Sequence, residues 1–158
     1  MDAIVLLKDD HKTVDTLFKE FEKTKETATA AAKRRLVDQI ITELTTHAFI
    51  EETIFYPAAR EAVPETEDHV LESVEEHHVV AWLLAELQNL NPDHETFDAK
   101  VTVLIENVRH HVEEEEKEWF PEVRKAMGRK RLVELAEELT AAKPHAPKDP
   151  MSLASAKA

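Results

Sequence analysis

The sequence predicts an all-α protein, an up-down-up-down four-helix bundle with a short fifth C-terminal helix and a disordered tail. Three observations lead there. The 158 residues include one glycine and no cysteine, and Ala, Leu, Glu, Lys and Val dominate; such a composition favours helices throughout. Apolar residues recur at spacings of three and four along four long stretches. The joints between those stretches are short, which makes consecutive helices antiparallel neighbours.

The first helix is expected over about residues 3–23, with Ile4, Leu7, Val14, Leu17, Phe18 and Phe21 on one stripe and His11 within it. A polar, Thr-rich joint at 24–29 precedes a second helix over about 30–63. Its inward side carries Leu36, Ile40, Ile41, Leu44, His47, Glu51 and Phe55. Pro57 removes a backbone hydrogen bond late in that helix and is expected to bend or interrupt it. Pro64 ends it. Thr66 is positioned to cap a third helix running to about Leu90, with Val70, Val74, His77, Ala81 (or Val80), Leu84 and Leu87 inward. Asn91-Pro92-Asp93 forms a turn, with Asp93 placed to cap the fourth helix. That helix has Val101, Leu104, Val108, His111, Glu115 and Trp119 on one side, and Gly128 stops it. The fifth helix is expected over about 129–142, with Leu132, Leu135, Ala136 and Leu139 facing the bundle. Residues 1–142 thus form one domain. From Lys143 the prolines and missing periodicity predict a flexible tail over 143–158.

Bulk properties narrow the function. The net charge of −13 argues against nucleic acid as a partner, because phosphates require clustered Lys and Arg. No apolar run approaches the roughly 20 residues of a membrane span. Met1 leads directly into a helical pattern with no basic or apolar leader. Together with the lack of cysteine, these features predict a soluble, cytoplasmic protein, a monomer or weak homodimer.

One phrase occurs twice. His47 to Glu52 runs on to Phe55-Tyr56-Pro57, and His111 to Glu116 runs on to Trp119-Phe120-Pro121. A shift of 64 residues carries His47 onto His111, Glu51 onto Glu115 and Pro57 onto Pro121. A shift of 66 carries Asp10-His11 onto Glu76-His77, which selects His77 over His78 as the inward residue. On a helix, residues four apart lie one above the other, so each His-x-x-x-Glu aims an imidazole and a carboxylate at one point.

A lone histidine on an apolar stripe is ordinarily a hydrogen-bonded core residue. The conjunction is different, because Glu51 and Glu115 lie on buried stripes, where an unpaired carboxylate costs several kcal/mol. A pair of cations at the centre would supply the compensation. Four imidazoles and two carboxylates without thiolate suit iron, manganese or zinc, and carboxylates able to bridge favour a dinuclear centre. Six inward ligands overshoot a structural zinc site. Two iron ions are the first choice, with manganese and zinc behind. Asp10, Glu52, Glu76 and Glu116 flank the candidates as orienting acids or solvated residues, Glu52 and Glu116 foremost.

From about Ile4 to Met127 the sequence resembles the hemerythrin-like, or HHE cation-binding, proteins. The resemblance rests on His11, on His47 with Glu51, on His77, and on His111 with Glu115. It implies Glu51 and Glu115 as bridges between two irons, with the four histidines as terminal ligands. Oxo or hydroxo bridges and water would complete the coordination. Oxygen-carrying members have a fifth histidine one turn away on the third helix, where this chain has Ser73 and Ala81. The more oxygen-rich set favours ferric iron and room for peroxide over reversible oxygen carriage.

Tyr56 is a further ligand candidate. On an undistorted helix it lies about 140° around from Glu51 and points away, unless Pro57 redirects it. A phenolate would stabilise ferric iron, as in some hemerythrin-like relatives; the alternative is a packing role like that of Phe120. The expected activity is peroxide or oxygen redox chemistry, catalase-like ahead of ferroxidase-like. No general base stands apart from the ligands, so enzyme status is open. The alternative is a module that binds or senses iron, oxygen or nitric oxide without catalysis.

Overall fold

The computed structural model describes residues 1–153, and every regular element among them is helical. Helix α1 (Ala3–Thr24) starts where the Asp2 carboxylate accepts the Val5 N–H at 2.9 Å, satisfying one of the donors that a helix start leaves open. Thr29 does the same for α2 (Ala30–Ile50), accepting from Ala32 at 3.1 Å.

The second expected helix is not continuous. After Ile50 come a π-helical turn, Glu51–Phe55, and then α3 (Tyr56–Ala62). The Tyr56 N–H reaches the Glu51 carbonyl, five residues back. Pro57 thereby falls in the first turn of α3, where its missing N–H breaks no bond. The duplication extends to this defect. Helix α5 (Phe97–Glu114) passes through a π turn, Glu115–Trp119, into α6 (Phe120–Met127), with Pro121 placed like Pro57.

Helix α4 (Glu67–Asn89) follows a 3-10 turn, Pro64–Thr66. Thr66 stands at its cap position, but its hydroxyl donates to the Val63 carbonyl and accepts from the Trp119 indole. It ties two helices together rather than capping one. The expected cap at Asp93 is also displaced. The Asn91 side chain accepts the Asp93 N–H, holding a turn that delays α5 until Phe97 is buried, with Thr96 at the cap position. Gly128 ends α6 as expected, at φ +81°, and α7 (Arg129–Ala142) follows.

Helices α1 and α2 pair, as do α4 and α5; contacts of α2 with α4 and of α1 with α5 close the bundle, and α7 lies on α1. Two apolar clusters fill it. One gathers Val14, Phe18, Ile40, Leu84 and Leu104; the other gathers Leu7, Phe55, Trp119, Phe120 and Leu135. Each fully buried Leu or Phe contributes about 1.5–3 kcal/mol. Along α1 the clusters meet at His11, and along α2 at His47. The polar centre is therefore a layer between two dry ones.

The chain expected to be disordered from Lys143 onward keeps a defined path as far as Leu153. After a 3-10 turn, Lys143–His145, it runs back over the bundle. Lys143 Nζ lies 2.6 Å from Asp10 Oδ1, Gln88 donates to the Lys148 carbonyl, and Pro150 is buried. A periodicity rule has no purchase on contacts of this kind. Residues 154–158 lie outside the described residues. No helix of the described chain is long and apolar enough to cross a membrane.

Candidate metal centre

The six histidines and glutamates predicted from the sequence converge. Potential ligand atoms of His11, His47, Glu51 and Glu115 lie within 4.8 Å of one another, as do those of Glu51, His77 and His111. Glu51 belongs to both groups. Its Oε1 lies 3.2 Å from His47 Nε2 and 3.3 Å from His77 Nε2. Glu115 spans the other diagonal, with Oε1 3.3 Å from His11 Nε2 and Oε2 3.2 Å from His111 Nε2.

Each of the four imidazoles has its far nitrogen against an acid. His11 Nδ1 meets Glu116 at 2.5 Å and His77 Nδ1 meets Glu52 at 2.8 Å. His47 Nδ1 meets Asp10 at 3.0 Å and His111 Nδ1 meets Glu76 at 2.7 Å. A carboxylate only accepts, so each Nδ1 donates and each Nε2 is turned to the centre. All four flanking acids singled out in the sequence serve this purpose, in two symmetry-related pairs.

The electrostatics describe a site short of positive charge. Glu51 and Glu115 are both 0 % exposed. Burial raises the Glu115 pKa, but the neighbouring His111 and His11 outweigh it and hold the carboxyl well below its usual range. Burial lowers the His47 pKa, but Glu51 and Asp10 outweigh it and push the imidazole up to about 10. His111 is likewise held well above its ordinary value by Glu115 and Glu76, against the effect of burial. Glu51 Oε2 and Glu115 Oε1 are buried and accept no hydrogen bond among the described residues.

These features fit metal cations. His11 Nε2 and His47 Nε2 stand 3.1 Å apart, close to the roughly 3 Å that separates two donors at right angles on one ion about 2.1 Å from each. The unsatisfied carboxylate oxygens supply the anionic donors that a buried cation needs.

Tyr56 joins the centre. Its hydroxyl donates to Glu115 Oε2 at 2.8 Å and lies 3.3 Å from Glu51 Oε1 and 3.3 Å from His77 Nε2. The π turn explains what an ideal helix forbids. Because the Tyr56 N–H bonds five residues back, Tyr56 takes the angular place that the fourth residue after Glu51 would normally hold. Burial raises the phenol pKa, the Glu115 and Glu51 charges raise it further, and it stays well above 10.0. The matching residue, Phe120, stacks on His11 with rings 6.1 Å apart, much as Tyr56 stacks on His77 at 5.5 Å. At this pair of positions the two halves differ by one oxygen atom.

Of the remaining histidines, His69 stacks on Trp119 at 4.8 Å, a packing role. Exposed His110, with half-buried Glu114 and Glu76, forms a third cluster. The residues that sequence reasoning missed are Pro150 and Leu153, which cover a cavity beside the histidines. No local signal marks them.

The sequence model of the hemerythrin HHE cation-binding domain matches residues 2–123. The chain belongs to that family, a metal-binding helical bundle. Among curated proteins it is similar to a DNA nickase of Nostoc sp., 28% identical over 134 residues. That alignment takes 85% of this chain but only 37% of the nickase, so the chain spans little more than a third of that relative. Among solved structures it is similar to a hemerythrin HHE cation-binding domain-containing protein of Mycobacterium kansasii, with a TM-score of 0.75 and 22% identity. The match covers 92% of this chain and 86% of that one, and it shows a shared fold.

Proposed function

We propose that the centre holds two iron ions and carries out redox chemistry on peroxide or oxygen. One ion would sit beside His11 and His47, the other beside His77, His111 and Tyr56, with Glu51 and Glu115 shared between them. The observation that carries this reading is the pair of fully buried carboxylates, each with an oxygen lacking a hydrogen bond, amid four imidazoles turned inward by acid partners. Six inward nitrogen and carboxylate donors overshoot a four-coordinate structural zinc site, and a phenol oxygen beside them favours the ferric state of iron.

When bound, iron supplies a redox couple and Lewis acidity suited to the disproportionation of two hydrogen peroxide molecules into two waters and one dioxygen. The protein's own part is positional. Glu116, Asp10, Glu52 and Glu76 fix the imidazole tautomers, and apolar layers pack on either side of them. Tyr56 makes the two positions unequal. The nickase activity named for the Nostoc relative is not carried over, because a net charge of −13 disfavours approach to DNA.

The test is metal content and an optical spectrum of the purified protein, followed by oxygen release from peroxide in the wild type and Glu51→Ala. Two irons per chain and turnover lost in Glu51→Ala support the proposal. Less than one metal per chain after reconstitution with iron removes the di-iron centre. Iron without turnover leaves a binding or sensing module.

A further inference from the structure

Beside the histidine layer lies a cavity of about 310 Å³. His11, His47, His77 and His111 form its floor. Its walls are apolar, with Val14, Leu44, Val80, Leu84, Val108 and Val112 drawn from all four long helices. Pro150 and Leu153 of the C-terminal segment cover part of it. Ala81, one helical turn beyond His77, lines it with a methyl group where a longer side chain would fill the space. The short residue at that position is thus matched by an open chamber over the centre.

The size and walls define what fits. At about 30 Å³ for each small group, the volume holds roughly ten non-hydrogen atoms, at the lower end of small-molecule sites. Peroxide or dioxygen alone would leave most of it empty, against apolar walls that water wets poorly. An anion is disfavoured, because Glu52, Glu75 and Glu76 also line the cavity. A cationic head would lose its hydration among valines and leucines. Thr45 adds one polar point to the wall, a buried hydroxyl with no hydrogen-bond partner among the described residues.

We infer that this cavity binds a neutral small molecule with a hydrocarbon body of up to about ten non-hydrogen atoms and one polar end, of the alcohol or alkyl hydroperoxide class. The polar end lies toward the histidines and the body lies along the valine and leucine walls. Only the choice of a redox-active polar end rests on the proposed iron centre; binding of the apolar body does not.

The experiment titrates the full chain, metal-free and iron-loaded, with straight-chain alcohols from ethanol to 1-decanol by calorimetry, with octanoate as the charged comparison. Affinity is expected to rise about three- to fourfold for each added methylene and to level off at about nine carbons, where the chamber is full. Ala81→Phe is expected to weaken 1-octanol binding at least tenfold with metal content unchanged. Ala48→Leu, filling the cavity from α2, gives a second reading if Ala81→Phe fails to fold. Three results would each overturn the inference: no saturable alcohol binding, equal affinity in wild type and the folded variants, or tighter binding of octanoate than of 1-octanol. Two irons per chain without alcohol binding removes the chamber and leaves the iron centre standing; alcohol binding without iron does the reverse.

Discussion

The Tyr56 hydroxyl donates to Glu115 Oε2 at 2.8 Å, although the tyrosine belongs to the first copy of the repeated phrase and the glutamate to the second. This bond breaks the symmetry of the duplicated bundle. The four imidazole–acid bonds each have a counterpart after the half-chain shift, whereas Phe120 places a carbon edge where Tyr56 places an oxygen. If the two metal positions differ in chemistry, the difference begins here.

The first prediction follows directly. The ferric protein should show a visible phenolate-to-iron charge-transfer band, and Tyr56→Phe should abolish it while metal content stays the same. An unchanged spectrum in Tyr56→Phe would leave the tyrosine as a packing residue. Phe120→Tyr should introduce a second such band, since its ring already stacks on His11.

The acids behind the imidazoles give the second. Glu76→Ala should lower metal affinity about 10- to 100-fold, because His111 loses the partner that fixes its tautomer. Glu113→Ala, three residues earlier than Glu116 and paired with exposed Lys117, should change affinity little. Competition with a chelator of known strength measures both. Equal affinities would show that the acids only fill space.

Backbone geometry supplies the third. Gly128 sits at φ +81° and ψ 163°, a conformation essentially restricted to glycine, and a Cβ there would meet nothing within 4 Å. Gly128→Ala should therefore cost about 1–3 kcal/mol from backbone strain alone, read by denaturant unfolding. No loss would mean that the α6–α7 corner relaxes freely.

The start of α1 gives a pH dependence remote from the centre. Burial raises the Asp2 pKa, but the bonds from Arg124 and the Val5 N–H outweigh it and hold it below the ordinary 3.8. A depressed carboxylate contributes stability that is present above the unfolded value and lost as pH falls through the folded one. The contribution should thus be full at neutral pH and fade below about pH 4. Asp2→Ala should cost about 1 kcal/mol at pH 7, and wild type and variant should converge in acid. A constant difference across pH would refute the charge assignment.

The sequence by itself determined the helices, their antiparallel order and the six inward ligand candidates. All of these follow from apolar periodicity and internal repetition, which are properties of neighbours along the chain. It singled out the four flanking acids but not their partners, since a helix face shows where a side chain points and not what waits across the gap. Three features needed the folded molecule. Tyr56 required a π turn, whose one-residue shift in hydrogen bonding rotates the phenol onto the centre. The path of 143–153 depends on Asp10 and Gln88, far away in sequence. The cavity exists only because four helices, packed around short residues such as Ala81, leave a volume that no single stretch encodes.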